Sequence, residues 1–273
     1  MKRMIAVLLA VPLLLSLAAC GEKKDDVVKV GALEGSGMDS MRSEEHWTHL
    51  DIPNSTNTET IYYSNLSAAL MDLESGKIFG LGVEGCVADY IVARNENVVA
   101  FNYGKTEAMT NFSMMTMDSN KEVYDILNNA IKEMKADGSL DILIENELKA
   151  YINSDPTPKE LPHFDGAKTI KVGVTGDIPP MDFVAANGKA AGFNIALLTE
   201  IANRAQVNIE LVHIEADARA MALSSNKVDA VFWTKSVTCT GCGATGAEKI
   251  EGTLVTESYF SDTVAGIRLK AEK

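Results

Sequence analysis

The residues that can do chemistry fall in a few short clusters. Cys239 and Cys242 have the spacing of a redox pair, of half a zinc site, or of a small loop closed by a disulfide. A structural zinc needs four ligands. The remaining candidates, Cys86 and the histidines at 46, 49, 163 and 213, are scattered, so no metal and no cofactor is expected. Gly35-Ser36-Gly37 follows an apolar run, where backbone N–H groups can meet a carboxylate. Glu84 stands at the end of a strand-like run, and Asp177 and Phe183 flank the Pro179-Pro180 turn. In the run from Trp233 to Thr238, an indole able to stack on a cationic or planar group stands beside the hydroxyls of Thr234, Ser236 and Thr238. Nowhere do a nucleophile and a base stand in a catalytic arrangement, so no catalytic residue is assigned. Cys20 closes an apolar run behind Leu17-Ala18-Ala19.

That last cysteine has an address attached. Lys2 and Arg3 precede an apolar stretch, residues 4–19, broken only by Ser16, which is the pattern of a secretory signal. It is shorter than the roughly 20 apolar residues that span a bilayer. The small residues before Cys20 resemble the lipobox of bacterial lipoproteins, which implies cleavage after residue 19 and acylation of Cys20. Residues 20–27 then form a lipidated tether that holds the chain at the outside of a membrane. Loss of Lys2 and Arg3 takes the formal charge from −13 to −15, 23 basic against 38 acidic residues. A body this acidic lacks the basic footprint that nucleic acid needs.

The elements that must position these groups alternate between strand and helix. Lys29-Val30-Gly31-Ala32 is echoed by Lys171-Val172-Gly173-Val174. Likewise Leu73-Glu74-Ser75-Gly76-Lys77-Ile78 is echoed by Leu223-Ser224-Ser225-Asn226-Lys227-Val228, each reading as a helix end, a stop and a buried strand. Two such units far apart suggest two α/β lobes of related design. Between them, Val123, Ile126, Leu127, Ala130, Ile131 and Met134 define a long helix whose cap is expected at Asp118 or Ser119. Residues 153–167, with Pro156, Pro158 and Pro162, read as a linker. The methionines at 114, 115 and 117 read as strand residues facing core, and Cys86 as a small buried residue.

Ile170-Lys171-Val172-Gly173-Val174 with the loop through Phe183, then Gly192-Phe193-Asn194, Lys227-Val228-Asp229-Ala230 and Tyr259-Phe260-Ser261-Asp262, resembles the amino-acid-type bacterial extracellular solute-binding proteins. These are the type II periplasmic binding proteins of ABC importers. The resemblance implies a two-lobed α/β fold and a cleft that takes a small polar solute, an amino acid or related organic ion. It also implies an ABC permease as partner, a monomer, and no enzymatic activity. Residues 28–152 are similar to the second part of that family, so the order is that of a circular permutation, or of a fragment of a tandem protein. On this basis residues 28–103 form the second lobe and 104–152 the C-terminal helices of the first. Residues 168–273 then form the first-lobe core and the hinge strand, and the tether enters near the hinge. The resemblance assigns Gly35, Ser36 and Gly37 to an anion loop and Glu84 to a solute ammonium group. It assigns Asp177, Phe183, Trp233, Thr234, Ser236 and Thr238 to solute contacts. The family's Thr-x-Glu-Arg run is missing after Thr238, leaving Lys235 or Arg219 to replace its arginine. Two rival functions remain open, a dehydratase-like enzyme using Glu84 and Lys235 as acid and base, and a ligand-sensing module.

Overall fold

The computed structural model describes residues 27–34, 58–102, 108–154, 157–239, 245–247 and 250–270. The signal segment, Cys20, the Gly35-Ser36-Gly37 loop and Cys242 lie outside the described residues, as do the side chains of Trp233 and Cys239. The chain begins with β1 (Val28–Leu33), β2 (Thr58–Tyr63), α1 (Leu66–Glu74), β3 (Gly80–Glu84), α2 (Gly85–Val92) and β4 (Val98–Asn102). A long strand β5 (Ala108–Met117) then leads into α3 (Lys121–Ala136) and α4 (Ser139–Glu147). After the Pro-rich segment come β6 (Thr169–Val174), the short strands β7 (Asp177–Ile178), β8 (Asp182–Val184) and β9 (Ala190–Ala191), and α5 (Phe193–Ala205). The chain closes with β10 (Asn208–His213), α6 (Arg219–Ser224), β11 (Ala230–Cys239), β12 (Thr245–Ala247), β13 (Thr253–Val255) and β14 (Phe260–Leu269).

Two units of one design, each built on five strands, share a continuous sheet of 11 described strands, in which β12 adds to β11. The second lobe runs β2-β1-β3-β14-β4 and the first runs β10-β6-β11-β5-β13, each with parallel strands followed by two antiparallel pairings. The sequence echo is therefore a structural repeat. Gly76 (φ +73°) and Asn226 (φ +55°) both take the left-handed conformation that ends a helix. Gly76 N donates to Leu73 O and Lys77 N to Asp72 O, just as Asn226 N donates to Leu223 O and Lys227 N to Ala222 O.

Helix ends follow local chemistry. Asn65 caps α1, its side chain accepting from Ala68 N at 2.9 Å. Helix α3 begins differently from expectation. Residues 118–120 form a 3₁₀ turn and Asn120 takes the cap position without a side-chain bond, so neither Asp118 nor Ser119 caps the helix. The reason is tertiary: the Asn120 amide is drawn away to Asp229 Oδ1, at 3.1 Å. The apolar stripe of α3 is buried as its spacing predicts, with Val123, Leu127, Ile131 and Met134 fully covered. Met114 and Met115 are buried in β5, and Cys86 is buried at the start of α2.

Strands β5 and β14 hold the lobes together. They pair antiparallel from Met109 to Phe112 against Phe260 to Thr263, and β14 then runs on as an inner strand of the second lobe between β3 and β4. Around this crossing Phe112, Phe193, Phe232, Tyr259 and Phe260 form an aromatic cluster with ring centroids 5.6–6.5 Å apart. Each such pair contributes about 0.5–1.5 kcal/mol beyond area burial.

The second lobe's first four strands open the chain and its fifth, β14, closes it. Val30 stands opposite Gly80 on one side of β3 and Ile267 opposite Leu81 on the other. The start of β1 and the end of β14 therefore lie about 10 Å apart, two strand spacings. The expected entry of the tether near the hinge is corrected. Strand β1 runs toward the cleft, where Leu33 and Glu34 lie, so Val28 sits at the far end of the lobe, six residues or about 17 Å away.

Candidate functional site

Parallel strands of the two lobes end face to face, and the groups at those ends form the cleft. From the second lobe come Leu33 and Glu34 behind β1, and Ser64 and Asn65 before α1. From the first come Thr175 behind β6, Ile178 on β7, Ala216 and Arg219 around the start of α6, and Lys235 on β11. These residues enclose a cavity of about 10 Å³, room for about one water molecule. A wider hollow of about 290 Å³ lies on the first lobe alone, between His213 and Lys227, and shares no residue with the cleft.

Lys235 and Glu84 dominate the contact. Lys235 Nζ pairs with Glu84 Oε1 across the lobes, with the two side chains 4% and 6% exposed. The ammonium also lies 5.6 Å from the centre of the Phe112 ring. Glu84 Oε2 is buried without a hydrogen-bond partner. Burying two charges costs several kcal/mol per ion unless geometry and further hydrogen bonds offset it. This pair therefore points to a role in joining the lobes. Arg219 is buried close by, its Nε donating to Ala216 O and its Nη1 to Phe232 O, both at 3.0 Å.

A second carboxylate crosses the gap. Asp177 Oδ2 accepts from Leu66 N at 2.9 Å, at the free amide end of α1. Burial pushes the Asp177 carboxyl above the usual aspartate range, and the charges of Asp182 and Glu215 add to the rise. Asp182 is satisfied inside its own lobe by Thr175 Oγ1, Gly176 N and Asn194 Nδ2. At the hinge, Asp262 Oδ2 accepts from Cys86 N at 2.7 Å, and burial raises both the Asp262 carboxyl and the Cys86 thiol. On the back of the molecule Arg94 ties the end of α2 to the carbonyls of Ile152 and Ser154.

Of the residues singled out in the sequence, the structure brings Glu84 and Asp177 to the lobe–lobe contact. Phe183 pairs with Asp177 in the small β7-β8-β9 sheet but is half-buried and absent from the cavity wall. On β11, alternation separates Thr234, Ser236 and Thr238 from Lys235, which among the described side chains of that run is the one on the cavity wall. Thr234 is buried with an unpartnered hydroxyl, Ser236 is half-buried, and Thr238 is exposed at the paired end of the strand. The sequence reading held Lys235 and Arg219 as stand-ins for a missing arginine, and Lys235 also as the acid–base partner of Glu84 in the rival enzyme reading; it missed Asn65, Ser64 and Thr175. Asn65 had a signal, since an Asn before an apolar helical run is a cap and so marks a helix start at the cleft. Among the described residues no group of His, Cys, Asp and Glu is placed to hold a metal. No described helix is long and apolar enough to cross a membrane.

Residues 170–240 match the family model of bacterial extracellular solute-binding proteins, family 3. A stretch of 67 residues is 33% identical to the protein named "Probable ABC transporter arginine-binding protein ArtJ" of Chlamydia trachomatis serovar D, covering 24% of this chain and 26% of that one. The chain thus matches about a quarter of the length of this curated relative. Among solved structures, the ligand-binding component of an ABC-type import system from Staphylococcus aureus aligns over 88% of this chain and 65% of its own, at 12% identity and TM-score 0.43. The periplasmic aliphatic sulphonate binding protein SsuA of Escherichia coli aligns over 89% and 65%, at 11% identity and TM-score 0.40.

Proposed function

We propose that this chain is a solute-binding protein of an ABC importer, held outside the cytoplasm by a lipid on Cys20, with no reaction of its own. The observation that carries the reading is the cleft itself, with strand ends of two repeated lobes meeting on buried charges contributed by both. Small-molecule sites favour such interfaces. The family match over residues 170–240 supports it, and the relative named for arginine supports an amino acid or related organic ion as solute.

The geometry supplies a mechanism for capture. Two strands, β5 and β14, cross between the lobes, so a small change in their twist opens the contact without unpairing either sheet. Opening exposes Glu84, Lys235, Arg219 and the N-terminus of α1 together. A solute that satisfies them pulls the lobes shut, and the closed surface is what a permease reads. Closure excludes water, which strengthens each charge contact inside.

Thermal-shift screening of the full chain against amino acids, small organic acids and oligopeptides tests this. One chemical class should raise the unfolding midpoint in proportion to the logarithm of its concentration. A screen in which no solute does so contradicts the proposal, and formation of product from a bound solute contradicts the binding-only reading.

A further inference from the structure

We propose that Asp262 is a positioning residue for cleft closure: from the hinge strand it caps helix α2, and so leaves Glu84 free to meet Lys235 across the lobes. This deepens the solute-binding reading at its hinge. The experiment below needs no solute, so the two stand or fall separately.

The two lobes repeat one design, yet their hinge contacts differ. Counting from the matching Leu73 and Leu223, Glu84 is the counterpart of Thr234, and Cys86 of Ser236. Glu84 stands opposite Val264 on β14 and Thr234 opposite Ser113 on β5, so Asp262 is the counterpart of Asn111. In the first lobe β11 runs on past this point, and Ser236 pairs with Asn111 as strand to strand. In the second lobe the strand stops at Glu84 and α2 starts at Gly85. There Asp262 meets Cys86 with its side chain, Oδ2 accepting from Cys86 N at 2.7 Å while Oδ1 accepts from Thr263 N at 2.8 Å.

Helix α2 needs that group. Its N-cap residue is Glu84, which has extended backbone and makes no side-chain bond to the helix, and no acidic residue stands in the first turn. A helix start leaves amides unpaired and carries partial positive charge, so an anion is stabilised there. Asp262 supplies it from 176 positions away. Gly85 allows the approach, since a Cβ there would stand 2.6 Å from Thr263 Oγ1 and 2.9 Å from Asp262 Oδ1. With the Cys86 amide held from the hinge strand, the Glu84 carboxylate is released to Lys235. Without Asp262, Glu84 is an anion at the cap position of bare amides, and they draw its carboxylate back, away from the other lobe.

The test is amide hydrogen exchange, read residue by residue in the full chain without solute. The Leu66 amide, bonded to Asp177 across the gap, reports closure, and the Cys86 amide reports the cap. Loss of a helix cap shifts a local equilibrium about 2- to 30-fold, and exchange of a protected amide follows such an equilibrium. Asp262→Ala should therefore speed Leu66 exchange at least about threefold. Asp262→Asn, which still accepts from Cys86 N, should stay within about twofold of wild type. Glu84→Leu alone should speed Leu66 exchange, and adding Asp262→Ala to it should bring less than about a twofold further change, because Asp262 acts through Glu84. Faster Cys86 exchange with unchanged Leu66 exchange in Asp262→Ala overturns the proposal. So does an undiminished effect of Asp262→Ala in the Glu84→Leu background, which a merely structural role would give. Should Asp262→Ala fail to fold, Gly85→Ala, whose Cβ pushes the hinge strand off the cap, decides by the same comparison.

Discussion

Lys235→Met strips the buried Glu84 carboxylate of its cation, and the consequence can be worked from the geometry. Both side chains are at most 6% exposed, and Glu84 Oε2 has no bond to fall back on. Removing one partner of such a pair costs about 3–5 kcal/mol, because a charge is left in a place it would not enter alone. For a chain of this size that lowers the thermal midpoint by about 6–20 °C. The lobes can reduce the cost by parting, since the pair joins them and water reaches Glu84 once they open. Small-angle scattering should therefore show a larger radius of gyration for Lys235→Met than for wild type. Glu84→Leu should behave alike, taking its carboxylate away from the buried Lys235 ammonium. The double variant Lys235→Met/Glu84→Leu has no buried charge here and should return to wild-type stability or exceed it by about 1–4 kcal/mol. The assay is a double-mutant cycle by urea and thermal unfolding. Two single variants within about 2 °C of wild type, with an additive double, would show that the pair carries nothing and refute the reasoning.

Further outcomes follow from other sites. Asp177 has a raised carboxyl pKa in the folded chain, so the native state holds that proton more tightly than the unfolded one. Its stabilising contribution is full below about 3.9, is lost as pH rises through the raised value, and leaves an ionised group at a cost at neutral pH. Asp177→Asn, which still accepts from Leu66 N, should therefore match or exceed wild type in thermal midpoint at pH 7 and lose that advantage near pH 4. A variant weaker at pH 7 than at pH 4, relative to wild type, contradicts this. Gly192 has φ +108° and a Cβ there would stand 2.5 Å from Met181 O, so Gly192→Ala should lose about 1–3 kcal/mol in urea unfolding. Retention of the wild-type midpoint would show that the β8–α5 joint yields. Cys20→Ser should abolish incorporation of labelled palmitate and release the chain from membranes. Continued labelling would place the lipid elsewhere.

Much of the architecture was legible because it rests on short-range rules. The helix-stop pairs at Gly76 and Asn226 share one backbone conformation, and the same pattern of residues leads into each. The stripe on α3 follows from periodicity, and Met114 and Met115 are buried in β5 as the apolar run there suggests. The start of α3 was misjudged because a distant carboxylate, Asp229, claimed the Asn120 amide, and no local rule contains that partner. The sequence reading assigned the hydroxyls of β11 to solute contacts together with Trp233, without separating the two faces of the strand. Which face looks into the cleft was decided by pairing with β5, and by the irregular register between Val231 and Thr234.

Within the sequence itself lay the repeat of two α/β units and Glu84 at a strand end, with a permuted order and an exported, acylated N-terminus as expectations. Only the tertiary structure decided that Lys235, 151 positions away, would meet Glu84, and that Asp177 would close on the first amide of α1. The physical reason is that a helix or strand is written in neighbours three or two residues apart, whereas a cleft is written in the register of two hinge strands. That register turns a lysine that looked like a substitute into the cation that meets Glu84 across the lobes.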